Sequence, residues 1–222
     1  MTVQENYMRV KQNIEEACKR SGRSIEDVTV VAVTKTVGIE KTREVLASGI
    51  EHLGENRNEG FLPKYEVIGA DAVWHFIGSL QTRKVKDIIN QIHYLHSLDR
   101  ISLAQEIQKR AEHRISCFVQ VKTSNEETKQ GLEPNELLPF IQELASFDRI
   151  HVVGLMTMAP HTSDEEEIRT CFQLLKKLQQ DVQALDMPHA PCRELSMGMS
   201  NDYAIAVEEG ATYIRLGTIL VG

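Results

Sequence analysis

One short apolar run, residues 28–33 (VTVVAV), constrains the fold more than any other segment of the chain. Its valines occupy both alternating faces, so a strand formed here has to be covered on both sides, as in a parallel sheet. Thr34 and Lys35 follow this run. Ligands of α/β proteins bind at the carboxyl ends of parallel strands, and the run therefore predicts a lysine amine at that edge. A solvated lysine at a strand end is the alternative interpretation of the run taken alone.

Segments with the patterns of strands and helices alternate along the chain, which predicts an α/β fold of one closed (β/α)8 barrel. Strands are expected at about residues 28–34, 51–54, 73–77, 93–97, 116–122, 150–155, 193–196 and 212–216. Helices are expected at about residues 4–20, 39–48, 57–67, 81–90, 100–112, 135–146, 164–184 and 201–209. An open doubly wound sheet is the alternative, but such folds usually carry a glycine-rich turn after the first strand, and this chain has none.

The domain organisation expected from this alternation is a single barrel domain over residues 1–222, with an amphipathic N-terminal helix at about residues 4–20. No linker, repeat or low-complexity segment divides the sequence. Only five residues, TILVG, follow Gly217 after the last predicted strand. We therefore expect the N-terminal helix to take the place of the eighth barrel helix.

The composition excludes several classes of function. A formal net charge of −7 argues against nucleic acids and anionic membranes as partners. No apolar stretch approaches the length of a membrane span, and the N-terminus lacks the pattern of a signal peptide. The four cysteines are far apart and show no paired spacing, which predicts reduced thiols in a cytoplasmic protein rather than a zinc ribbon or a disulfide framework.

Lys35 is the candidate nucleophile. A lysine amine that is partly desolvated and close to other cations can lose its proton and form a Schiff base with an aldehyde. The strand-end position of Lys35 predicts such an environment, because the other polar residues of the chain also follow strand ends.

Two loops of small residues follow the seventh and eighth predicted strands, and these are the usual phosphate-binding loops of such barrels. Ser200 lies in the first loop, and Gly217 and Thr218 form the second. Their hydroxyl and N–H groups can donate hydrogen bonds to an anion, although ordinary helix capping is an alternative role. Arg215 at the end of strand eight could face the same site, the alternative being an exposed arginine paired with an acid.

Two histidines in predicted strands, His75 and His96, are expected to be packed or hydrogen-bonded rather than to bind a metal. The chain has no HExxH motif or comparable spacing of metal ligands. We therefore assign no metal ligand, and the sequence indicates no catalytic residue.

Six segments, in this order, closely resemble the pyridoxal phosphate homeostasis protein family. They are residues 31–36 (VAVTKT), 54–56 (GEN), 74–81 (WHFIGSLQ), 154–156 (GLM), 195–200 (LSMGMS) and 214–218 (IRLGT). The resemblance extends from about residue 28 to the C-terminus, and the combination of WHFIG with SMGMS is highly specific.

The resemblance implies a fold-type III barrel like the N-terminal domain of alanine racemase, with pyridoxal 5′-phosphate (PLP) bound as an imine on Lys35. It implies phosphate contacts from Ser200 and from the turn of Gly217 and Thr218. It also places Asn56 beside the cofactor.

Arg215 is implied to lie near the pyridine nitrogen of PLP. A cation there keeps the nitrogen unprotonated and weakens PLP as an electron sink. The implied function is to carry and buffer PLP and to supply it to apo forms of PLP enzymes, with effects on amino- and keto-acid balance but without efficient turnover. We expect a cytoplasmic monomer with no nucleic-acid or membrane partner. Lys129 matches a second lysine of the family, and its role stays open.

Two alternative functions use the same residues. The first is a PLP-dependent amino-acid racemase, although racemases add a β-domain that supplies a second catalytic base, and these 222 residues are expected to lack it. The second is an aldolase that forms its Schiff base with the substrate and needs no cofactor.

Overall fold

The computed structural model describes residues 2–124 and 130–222. Lys129, the second lysine matched by the resemblance, lies outside the described residues. None of the helices in the described part of the chain is long and apolar enough to cross a membrane.

The strands form one closed parallel barrel, in which each strand pairs with its neighbours along the chain and the last pairs with the first. They are β1 (Thr29–Val33), β2 (His52–Glu55), β3 (Val73–Phe76), β4 (Tyr94–Leu98), β5 (Ile115–Gln120), β6 (Ile150–Met156), β7 (Glu194–Ser196) and β8 (Tyr213–Leu216). Every strand begins and ends within two residues of its expected position. The predicted (β/α)8 barrel is confirmed.

Helices lie between successive strands and pack on the outside of the barrel. They are α1 (Val3–Ser21), α2 (Ile39–Ala47), α3 (Asn58–Ile68), α4 (Val85–Ile88), α5 (Ile101–Arg110), α6 (Leu137–Glu143), α7 (Glu165–Gln183), α8 (Tyr203–Glu208) and α9 (Thr218–Val221). The start of α7 is acidic, and the Asp164 carboxylate caps it by accepting hydrogen bonds from the N–H groups of Glu166 and Glu167.

Two of the predicted helices are not continuous. The segment expected to be helical at 81–90 forms a 3₁₀ turn (Thr82–Lys84) and the single turn α4. After α4, the Asn90 side chain donates to the Arg110 carbonyl and accepts from the Glu112 N–H. The segment expected at 135–146 consists of α6 between two 3₁₀ turns. Pro134 begins the first of these turns and Pro139 lies within α6, and a proline lacks the N–H donor of a regular helix.

The N-terminal helix α1 packs against α2, α8 and α9. This is the place of an eighth barrel helix, between the helices that flank β8 and β1. Its start is fixed by a capping box, in which the Thr2 hydroxyl accepts from the Glu5 N–H and the Glu5 carboxylate accepts from the Thr2 N–H. The helix α1 therefore covers the junction between β8 and β1, where the sheet closes.

The interior of the barrel is aromatic and polar as well as aliphatic. The His75 ring stacks on Tyr94 with centroids 4.5 Å apart, and His96 packs on Phe118 with centroids 4.3 Å apart. Tyr213 contacts these rings from β8. The side chains that fill the barrel therefore leave little space below the carboxyl ends of the strands, so a ligand has to bind above them.

Candidate functional site

A cavity of about 600 Å³ lies at the carboxyl ends of the strands. It is lined by residues that follow β1, β2, β3, β6, β7 and β8. The structure brings together at this cavity every residue for which the sequence predicted a binding role: Lys35, Asn56, Ser200, Arg215, Gly217 and Thr218.

Lys35 lies in the turn after β1, two residues beyond the end of the strand. The turn is closed by a hydrogen bond of 3.1 Å from the Val37 N–H to the Thr34 carbonyl. The Lys35 side chain lines the cavity and is exposed, whereas Thr34 is fully buried. The sequence predicted a partly desolvated amine at Lys35. The structure instead shows an exposed side chain, because the turn carries Lys35 above the packed strand end.

The loops after β7 and β8 meet at Ser200. Its Oγ lies 3.3 Å from the backbone N of Gly217, which donates to it, and 3.4 Å from the Thr218 Oγ1. Two hydroxyls and one backbone N–H thus converge on one wall of the cavity. The helix α8 begins only at Tyr203, so Ser200 does not cap it and its hydroxyl is available to an anion.

Arg215 lies in β8 and is buried beneath the cavity. Its guanidinium donates to the Ser196 Oγ at 2.5 Å and to the Thr157 carbonyl at 2.8 Å. Burial lowers the pKa of Arg215 to about 10, against the opposing effect of the Asp202 carboxylate. The side chain therefore stays a cation at neutral pH, and it is not the exposed surface arginine of the alternative interpretation.

Asn56 follows β2 and lines the cavity beside the loop after β3. That loop packs closely against it, because a Cβ atom at Gly78 would lie only 2.2 Å from the Asn56 carbonyl oxygen. A glycine is required at this contact. The WHFIG segment thus lines the cavity with its last two residues, Ile77 and Gly78.

A line of hydrogen bonds runs from Arg215 through the barrel. The Ser196 Oγ lies 2.8 Å from His96 Nδ1, His96 Nε2 lies 2.8 Å from His75 Nδ1, and His75 Nε2 lies 2.8 Å from His52 Nδ1. The prediction that His75 and His96 are packed and hydrogen-bonded is confirmed. The continuous line was not predicted, since its members come from β2, β3, β4, β7 and β8.

The chemistry of the guanidinium orders this line. Arg215 can only donate, so the Ser196 Oγ accepts from it. Ser196 can then donate its own proton to His96 Nδ1, an arrangement in which His96 and His75 carry their protons on Nε2. Burial holds the pKa values of His75 and His96 well below the ordinary range, with a further contribution from Arg215 at His96. Both rings are therefore neutral, and the fixed positive charge of the site is Arg215.

Comparison with known protein families agrees with this geometry. Residues 6–222 match the family model described as alanine racemase, N-terminal domain. The pyridoxal phosphate homeostasis protein of Aquifex aeolicus is 41% identical over 229 aligned residues, which cover 100% of this chain and 98% of that protein. The protein of the same name from Pseudomonas aeruginosa is 32% identical and is covered to 95%.

Solved structures give the same result. PipY of Synechococcus elongatus with PLP bound has a TM-score of 0.81 and 29% identity, covering 95% of this chain and 100% of that one. Alanine racemase of Clostridium difficile shares the fold, with a TM-score of 0.77 at 18% identity, and this chain covers 56% of it. The chain belongs to the alanine racemase N-terminal domain family and, within it, to the pyridoxal phosphate homeostasis proteins.

The buried neutral histidines predict a loss of stability in mild acid. The unfolded chain binds protons on these side chains below about pH 6.5, whereas folded His75 and His96 do not, so the free energy of unfolding falls as the pH falls. For two such groups the expected loss between pH 7.5 and 5.5 is about 2.5 kcal/mol. Urea unfolding at the two pH values measures it.

Two variants test this origin of the pH dependence: His75→Asn at a buried histidine and His113→Asn at an exposed one. The first should reduce the pH dependence by about the contribution of one histidine, and the second is the comparison variant at an exposed histidine. A free energy of unfolding that stays constant between pH 7.5 and 5.5 would contradict the neutral, buried state of the two rings.

Proposed function

We propose that this protein binds PLP covalently through Lys35 and acts in intracellular PLP homeostasis as a carrier and buffer, without efficient turnover. The observation that carries the proposal is the convergence of Lys35, the Ser200 wall and Arg215 on one cavity of about 600 Å³. An amine, a set of anion donors and a buried cation match the aldehyde, the phosphate and the ring nitrogen of one small molecule. PLP is bound in the related PipY structure.

The phosphate is proposed to bind at Ser200, Gly217 and Thr218. Their hydroxyl and N–H groups already lie within 3.4 Å of one another. Hydrogen bonds to a charged acceptor are stronger than those between neutral groups, so a phosphate would compete well for these donors. Loops after the last two strands are the phosphate-binding position of many (β/α)8 barrels.

Lys35 is proposed to hold the aldehyde end of the cofactor. Its amine would replace the aldehyde oxygen, which leaves as water, and a Schiff base would result. Lys35 suits a reversible attachment because its side chain is exposed and can exchange with amines that enter the cavity. Asn56 is proposed to contact the cofactor from the β2 side, where Gly78 keeps it in place.

Arg215 is proposed to lie beside the ring nitrogen of PLP. A permanent cation there disfavours the protonated ring that would stabilise a carbanion. The Ser196 hydroxyl and the Thr157 carbonyl hold the guanidinium, so its charge stays in place. This is the physical reason to propose a carrier rather than an efficient enzyme.

The proposal includes a single PLP-binding domain that works as a cytoplasmic monomer and supplies apo-enzymes. The four cysteines are buried and form no disulfide in the described part of the chain, as suits a reducing compartment. An amino-acid racemase is the second candidate function, because alanine racemase of Clostridium difficile shares the fold.

The first test is the identity of the anchoring lysine. Borohydride reduction of the protein loaded with PLP should place the pyridoxyl mass on the peptide that contains Lys35, because this amine lines the cavity. Lys35→Ala should abolish the covalent absorbance band and keep the fold, whereas the control Lys41→Ala, on the outer helix α2, should retain both. A label that appears mainly on Lys129 or on any other lysine would contradict the assignment of Lys35 as the anchor.

The second test concerns the phosphate. Ser200→Ala removes one hydrogen bond to a charged group and should weaken PLP binding by roughly ten- to a hundredfold. Equilibrium titration of PLP absorbance measures the change. Pyridoxal, which lacks the phosphate, should bind the parent protein much more weakly and should be insensitive to Ser200→Ala. Equal affinities of the parent for PLP and pyridoxal would contradict the phosphate position.

The third test separates a carrier from an enzyme. Amino acids should shift the absorbance of the bound cofactor, because that exchange needs only access to Lys35. Racemisation, transamination and decarboxylation should not exceed the rates with free PLP, because Arg215 disfavours carbanions. Stoichiometric transfer of PLP to an apo-enzyme should be detectable. A saturable reaction of any of these kinds, abolished by Lys35→Ala, would establish the racemase-like alternative.

A further inference from the structure

A buried ion pair lies directly beneath the Lys35 turn. The Lys64 Nζ, from α3, lies 2.5 Å from the Glu55 Oε1 at the end of β2. Their side chains are only 6% and 1% exposed. Neither residue lines the cavity described above.

Both members of the pair also bind Thr34, the residue before Lys35. The Lys64 Nζ donates to the Thr34 carbonyl at 2.6 Å, and the Thr34 Oγ1 donates to the Glu55 Oε1 at 2.7 Å. The Thr34 N–H donates to the Gly54 carbonyl at 3.1 Å. Every polar group of Thr34 is thus held by β2 or α3.

Stability alone does not explain such a pair. Two charges lose their hydration on burial, and apolar side chains of similar volume often stabilise a protein as well. A buried ion pair is better explained where it fixes one particular arrangement of the chain. Here the arrangement that it fixes is the end of β1, at the residue from which Lys35 departs.

The surroundings of Glu55 support the same conclusion. Its second carboxylate oxygen, Oε2, is buried and has no hydrogen-bond partner among the described residues. A Cβ atom at Gly60 would lie 2.9 Å from that oxygen, so glycine leaves room for the carboxylate. Among the described residues, the Glu55 side chain accepts hydrogen bonds only at Oε1, from the Lys64 Nζ and the Thr34 Oγ1. The carboxylate is therefore placed for these two partners.

We infer that Glu55 and Lys64 are positioning residues for Lys35. They hold Thr34 in one orientation, and the adjoining Lys35 consequently leaves the strand end in the direction of the cavity. The exposed Lys35 side chain has little packing of its own to direct it, so its reach depends on the backbone before it. This inference rests on the proposed attachment of PLP to Lys35. Small displacements of a reacting group cost a large part of its reactivity, and about 1 Å can cost a hundredfold.

The test compares covalent with non-covalent binding in matched variants. Thr34→Val removes the hydroxyl at nearly constant volume, and Thr34→Ser restores it. The double variant Glu55→Gln/Lys64→Met replaces the ion pair by neutral side chains and leaves no unpaired buried charge. Lys84→Met is the control, because Lys84 forms a surface ion pair with Glu59 of the same helix α3.

Two measurements are made on each variant. Borohydride incorporation at Lys35 reports the covalent bond, and titration with pyridoxine 5′-phosphate, which has no aldehyde, reports the cavity alone. Thr34→Val and the double variant should lower the rate of incorporation by about tenfold or more while pyridoxine 5′-phosphate binds as in the parent. Thr34→Ser and Lys84→Met should match the parent in both measurements.

The outcomes distinguish this inference from the proposed function. Normal incorporation at Lys35 in Thr34→Val would overturn the inference and leave the anchor in place. Parallel losses of incorporation and of pyridoxine 5′-phosphate binding would overturn it as well, since they would indicate a merely structural role. Absence of a label on Lys35 in the parent protein would instead refute the proposed function. If the double variant does not fold, the comparison of Thr34→Val with Thr34→Ser decides.

Discussion

Pairing of β1 with β8 is the interaction on which the rest of the structure depends, because it closes the sheet. Val30 aligns with Ile214 and Val31 with Arg215 in this parallel pair. Closure places the first strand of the chain beside the last, so the turn that carries Lys35 lies next to the turn at Gly217. A Cβ atom at Gly217 would lie 3.6 Å from the Val33 side chain. An open sheet of the same segments would separate these two turns, and the cavity would not exist.

The second constraint is the polar filling of the barrel. Interiors of (β/α)8 barrels are usually packed with branched aliphatic side chains. In this protein, histidines from three successive strands and a serine from β7 form a hydrogen-bonded line to Arg215. Buried polar groups are costly unless each has a partner, and the line provides those partners. The Arg215 cation on β8 can therefore stay buried at the floor of the cavity.

Much of this arrangement could be predicted from the sequence because the information was local. The VTVVAV run marks a strand buried on both faces, and a barrel directs all strand ends to one face, so Lys35 and the loops at Ser200 and Gly217 had to meet. The strand positions could also be predicted, because the alternation of strand and helix patterns is local information too. Helix continuity was less predictable at 81–90, where the Asn90 side chain binds the backbone of a distant segment. Such a contact leaves no periodic trace in the sequence.

The polar networks could not be predicted, because each member comes from a different strand or helix. Lys64 is one of many lysines in the chain, and nothing in its neighbours in sequence indicates that its amine reaches the Thr34 carbonyl. The exposure of Lys35 was also missed, since a turn of only a few residues decides whether a strand-end side chain lies above or within the packed core. The sequence therefore predicted residues that line one cavity but not the buried contacts beneath them.

The hydrogen bonds that hold Arg215 and the ion pair beneath Lys35 act on different parts of the cavity. Arg215 is held from below by the Ser196 hydroxyl and the Thr157 carbonyl, so the charge at the floor of the cavity is rigid. Beneath the Lys35 turn, the ion pair of Glu55 and Lys64 holds the hydroxyl and the carbonyl of Thr34, the residue before Lys35. The Lys35 side chain itself remains exposed. A firmly held cation beneath an exposed amine favours tight placement of a ligand together with reversible attachment, which is the combination that the proposed storage and release of PLP would require.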